Sequence, residues 1–248
     1  MGALRHVDDR TARCHVAGEA QGRPGRLWRA MAAAATLGLP WLFGLFFVSG
    51  FAALVYQVVW QRSLFAIYGV NIESVTIVVA AFMLGLGLGS YAGGRLSLRP
   101  GVRLLRWFGA IELAIGLLGA VSLPVFRAVG AATAGVDGGA VFALTFGLLV
   151  LPTALMGSTL PLLVAHAVSV SGNVGRSVGA LYFVNTLGSA AASLATAVVL
   201  LGALGQQRTV WLAAALNASI GLLTLAHGAR APVAAAAARQ AADGGGPP

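Results

Sequence analysis

Six long apolar runs, separated by short polar stretches, make up most of this 248-residue chain. They fall at about 41–61, 73–94, 104–126, 139–165, 177–202 and 209–227. A helix needs roughly 20 apolar residues to cross the hydrocarbon of a bilayer, and each run reaches about that length. In lipid the backbone must pair within its own segment or in a closed barrel, and no run shows the apolar/polar alternation of a barrel strand. The pattern therefore predicts an all-α, polytopic integral membrane bundle of six transmembrane helices. The uncharged stretch before the first span begins at Ala30, too early for a single crossing, so Pro40 is expected to separate a short approach segment from the span.

Composition points the same way. The chain is 58% hydrophobic and 9% charged, against roughly 25% charged residues in soluble domains. The principal partner is expected to be the lipid bilayer. The formal charge is +9, carried by 16 arginines and no lysine. These arginines flank apolar segments instead of forming a continuous patch, so a nucleic-acid partner is not expected. Their distribution sets the topology. With the N-terminus inside, thirteen arginines lie on the inner side, and only Arg62, Arg127 and Arg208 lie outside. Both termini are thus expected in the cytosol, and the protein in the inner (plasma) membrane. Residues 1–36 read as a basic, disordered tail, 37–228 as the membrane domain, and 229–248 as a low-complexity tail. Cys14 is the lone cysteine, and His6, His15, His166 and His227 are scattered, so neither a disulfide, a metal site nor a cofactor is expected.

Within the spans, glycine and polar residues carry the information. Gly85, Gly89 and Gly93 recur every fourth residue and share one face of the second span. Gly188, Ala192 and Thr196 do the same in the fifth. Small residues let helices approach closely where lipid supplies no hydrophobic drive, so both stripes read as packing seams. Glu112 lies about 12 Å into the third span at 1.5 Å per residue. A carboxyl at that depth should face the bundle interior, either binding a cation or carrying a proton, or as a hydrogen-bonded structural group. Glu73, behind a potential N-cap at Asn71, reads as a helix-dipole partner that could also pair with Arg62. Tyr56, Gln57 and Asn185 are candidate substrate contacts, with interhelical hydrogen bonding as the alternative use. Ser49, Ala53, Tyr56 and Trp60 share a face of the first span. Trp60, Trp41 and Trp107 stand near span ends, as interfacial anchors would. Pro152 and Pro161 bracket TALMGST in the fourth span, giving either a broken, site-lining helix or a static kink satisfied by Ser158 and Thr159.

Four segments in order, SGFAALVYQVVWQR (49–62), AAFMLGLGLGSYAGGRL (80–96), LPTALMGSTLPLL (151–163) and ALYFVNTLGSAAASL (180–194), resemble the membrane half of fused transporter/spermidine synthase proteins. The resemblance implies a six-helix, half-facilitator-like domain that transports or binds a small solute, such as a cationic amine or polyamine. GSYAGGRLSLR also has the layout of the loop between spans two and three of major facilitator transporters, which gives Gly93, Arg95 and Arg99 a gating or topological role. The acidic residue usual in that loop is absent. Six helices are half of a full transporter, so a homodimer is expected. The family's cytosolic aminopropyltransferase-like domain has no counterpart here: no glycine-rich loop follows a strand, and DGGG (243–246) is tail. The chain is therefore expected not to be an enzyme. As an alternative to transport, it could anchor a separate aminopropyltransferase-like partner.

Overall fold

The computed structural model describes residues 26–68, 72–133 and 138–243. All the regular structure among them is helical: α1 (Arg26–Tyr68), α2 (Ile72–Ser97), α3 (Leu104–Ala132), α4 (Gly138–Ser171), α5 (Val174–Ala195), a π-helical segment (Thr196–Leu200) and α6 (Leu201–Asp243). Four stretches are long and apolar enough to cross a membrane: Pro40–Ile67, Leu104–Ala132, Ala143–Ser171 and Val174–His227. This is an all-helical, membrane-type protein.

The helices pass beyond the expected boundaries where alanine dominates. Residues 26–36, assigned from sequence to a disordered tail, are the first turns of α1, and the helix continues through Pro40 instead of separating there. Alanine carries the highest helix propensity, and proline removes only one backbone donor. Likewise α6 runs past position 228 through the alanine-rich segment to Asp243.

The Val174–His227 stretch has 54 residues, about 80 Å of straight helix, far more than a bilayer. It folds back at Gly205, whose φ of 69° and ψ of 175° interrupt the helix. Thr209 secures the reversal, its hydroxyl donating to the carbonyls of Gly205 (2.7 Å) and Leu200 (3.2 Å). The reversal brings Asn185 of α5 and Asn217 of α6 into the wall of one cavity.

Cross-helix bonds give the register. Ser49 meets Glu112 and Trp60 meets Ser122, offsets of 63 and 62 residues, so α1 and α3 run parallel. Gly109 faces Gly221 and Gly116 faces Ala214, so α6 runs antiparallel to α3. The closest approach joins α2 to α4. Gly85, Gly89 and Gly93 lie against Thr153, Ala154 and Ser158, while Gly157 of α4 meets the backbone at Leu86. A second such contact joins α5 to α1, with Gly188 on the backbone at Phe47 and Gly50 on Asn185. Without side chains at these crossings the backbones gain dispersion contacts that lipid would otherwise supply.

The core is centred on α1, where Ala52, Val55, Tyr56, Val59 and Trp60 are almost wholly buried. Here one sequence expectation is corrected. Trp60 is not an interfacial anchor: it is 1% exposed, lies 5.2 Å from the Tyr56 ring centroid, and donates its indole N–H to Ser122 Oγ at 2.8 Å. A central helix is surrounded by others even near its end, so nearness to the span boundary does not bring a side chain to the interface. Trp107, 48% exposed, does face outward, and Trp41 packs on the His227 ring at 4.8 Å.

Candidate functional site

A cavity of about 530 Å³ opens in the middle of the bundle, walled by α1, α2, α4 and α5 with Ile115 and Asn217 behind. That volume lies within the range of small-molecule sites. Its polar lining is uncharged and includes Ser49, Gln57, Ser90, Thr159, Asn185 and Asn217. Phe46, Phe82 and Tyr182 contribute aromatic surface.

Directly behind this wall lies Glu112, fully buried. Ser49 Oγ donates to its Oε1 at 2.6 Å, and Asn217 Nδ2 donates to its Oε2 at 2.6 Å. Three helices therefore meet at one carboxyl, and two of its partners are themselves cavity residues. Asn217 must turn its amide nitrogen toward Glu112, since the carboxylate needs donors. That leaves Asn217 Oδ1 buried and without a hydrogen-bond partner among the described residues. An unpaired buried acceptor is costly to the fold.

The four sequence candidates for substrate contact separate here. Gln57 and Asn185 line the cavity. Glu112 reaches it through Ser49 and Asn217. Tyr56 is not in the wall: it is fully buried, its ring tip against Gly119, and its hydroxyl has no partner among the described residues. Tyr56 and Gln57 are adjacent in sequence, but adjacent helical positions point about 100° apart, so one enters the core and the other the cavity.

Asn217 is the residue that sequence reasoning missed. It is a single amide in the apolar run VWLAAALNASIGLL, a signal of the same kind as Asn185. Its pairing with Glu112, 105 positions away, has no local signature.

The fourth helix passes both prolines without interruption. Ser158 donates to the Leu155 carbonyl and Thr159 to the Met156 carbonyl, each at 2.7 Å. Neither reaches the Gly157 carbonyl, which Pro161 deprives of its usual donor four residues on. Gly157 and Thr159 both line the cavity.

The gate-like residues lie elsewhere. Gly93 is buried against Ser158 and the Pro161 ring. Arg95 is exposed and folds back on its own helix, donating to Tyr91 Oη at 2.6 and 3.1 Å with its guanidinium 5.2 Å from that ring centroid. Arg99 is exposed in the turn after α2. Asn71 and the Glu73 side chain lie outside the described residues. Comparison with protein-family models, with curated proteins and with solved structures finds no match to this chain.

Proposed function

We propose that this chain is a six-span protein of the inner (plasma) membrane with both termini cytosolic, and that it binds and moves a small cationic solute of the amine class. One observation carries the reading: a buried carboxyl, Glu112, stands behind a cavity wall and is hydrogen-bonded to two residues of that wall, Ser49 and Asn217. An ammonium group is all donor, so it suits the hydroxyl and amide oxygens of a wall that includes Ser49, Gln57, Thr159 and Asn185, and its charge complements the carboxylate behind them. The aromatic rings of Phe46, Phe82 and Tyr182 suit the remainder of such a solute and its cation. Among the described residues no basic side chain lines the cavity to oppose a cation.

The sequence resemblance to the membrane half of transporter/spermidine synthase proteins supports the same solute class. Exposed apolar residues on α2 (Met83, Leu86) and the exposed Tyr182 of α5 line the cavity, and a second copy of the chain would close that side. The test is uptake of labelled putrescine or spermidine by proteoliposomes containing the purified chain. Uptake by the native chain that falls to background in Glu112→Gln is expected. Folded native protein that neither binds nor accumulates any amine overturns the reading.

A further inference from the structure

Four arginines fall within twelve positions around the loop joining α2 to α3: Arg95, Arg99, Arg103 and Arg106. Charge alone would orient the chain in a membrane. The structure goes further and builds a concavity of about 490 Å³ from Pro100, Gly101, Val102, Arg103, Arg106 and Trp107, together with Ala110. Gly101, at φ 77°, makes the turn that sets Pro100 and Val102 opposite the start of α3. Arg103, the N-cap of α3, and Arg106 in its first turn both line the concavity.

Neither arginine has a carboxylate within ion-pairing distance among the described residues. The chain has only seven acidic side chains in all, and Glu112 is sealed inside the bundle. Arg95 has found a partner in Tyr91, whereas Arg103 and Arg106 line an open pocket. Two unpaired guanidinium groups on a shared concave rim match the fork geometry by which arginine holds phosphate oxygens. Beside them in the pocket wall stand Trp107, 48% exposed, and Val102. Such apolar groups beside a basic pocket suit the zone where headgroup meets hydrocarbon.

We propose that this pocket binds the phosphate of an anionic phospholipid, with Arg103 and Arg106 on the phosphate oxygens and Trp107 against the glycerol and upper acyl region. The site is separate from the central cavity and does not depend on what that cavity carries.

The experiment is native mass spectrometry of the full chain in detergent, titrated with phosphatidylglycerol or phosphatidylcholine. Phosphatidylglycerol adducts should form at about thirtyfold lower lipid concentration than phosphatidylcholine adducts, a preference of the size two surface arginines supply. Arg103→Gln/Arg106→Gln should lose that preference, while Arg176→Gln, which removes an exposed arginine outside the pocket, should keep it. The proposal is overturned if the double variant retains the preference, or if Arg176→Gln loses it equally, which would indicate general charge attraction. Displacement of phosphatidylglycerol from the native chain by millimolar inorganic phosphate would also overturn it, assigning the pocket to a free anion. That last arm needs no variant, so a misfolded double variant leaves the question decidable.

Discussion

Asn217 Nδ2 donates to Glu112 Oε2 at 2.6 Å, joining α6 to α3 in the interior of the bundle. Replacing Asn217 with leucine removes the donor and leaves one carboxyl oxygen buried and unsatisfied. The expected loss is about 1–2 kcal/mol, between the modest average for interhelical bonds in membranes and the cost of an orphaned buried acceptor. Thermal unfolding in detergent measures it. Asn217→Asp should behave differently, because it sets two carboxyls against each other. At high pH the two repel, and as pH falls one takes up a proton and again offers a donor. The Asn217→Asp protein should therefore gain stability relative to native as pH is lowered, and by more than Asn217→Leu, which has no second carboxyl to repel the first or to offer a donor.

Two glycines of α2 offer a paired test of the seam with α4. A β-carbon on Gly89 would run into the backbone of Ala154, whereas one on Gly87 meets nothing within 4 Å. Gly89→Ala must push the helices apart, at an expected cost of about 1–3 kcal/mol for overpacking. Gly87→Ala gains helix propensity and should be neutral, or stabilising by up to about 1 kcal/mol. Melting temperatures of the two variants, each against native, should move in opposite directions or differ by several degrees. Equal effects would show that glycine in this helix serves something other than close approach.

These contrasts show what a single sequence makes legible. The apolar runs are visible because lipid imposes a length and a polarity on each helix independently of its neighbours. Glu112 is visible for the same reason, since a carboxyl within such a run is anomalous wherever it points. Its partners are not. Ser49 was evident only as part of a face, and Asn217 not at all, because their meaning lies in a three-helix junction that no local pattern encodes. Depth along the helix is readable, but the direction a residue faces is much less so. That is why Trp60 reads as an interfacial anchor and proves to be core, and why Tyr56 and Gln57 part company.

Gly205 makes the reversal between α5 and α6 with φ 69° and ψ 175°. That region of backbone space is essentially restricted to glycine, and other residues are strained there by about 1–3 kcal/mol. A β-carbon at Gly205 would meet no neighbour within 4 Å, so any effect of Gly205→Ala reports backbone strain alone. The expected outcome is a destabilisation of that size. Gly202→Ala, also open but with ordinary helical backbone, should not share it. Chemical unfolding of both variants in the same detergent separates strain from packing.

Ser122 accepts the indole N–H of Trp60 at 2.8 Å while donating its own proton to the Gly119 carbonyl at 2.7 Å. Ser122→Ala should strand the Trp60 N–H in the core, since the ring is 1% exposed and packed against Tyr56, Phe82 and Phe126. Trp60→Phe alone removes the donor together with some packing. The double variant should be less destabilised than the sum of the two single variants, with a coupling of about 0.6–1.7 kcal/mol. An interfacial tryptophan would show no coupling, because headgroup water would take over the N–H as soon as the serine is lost. The cycle therefore distinguishes a core Trp60 from a boundary one by a measurement that general loss of packing cannot mimic.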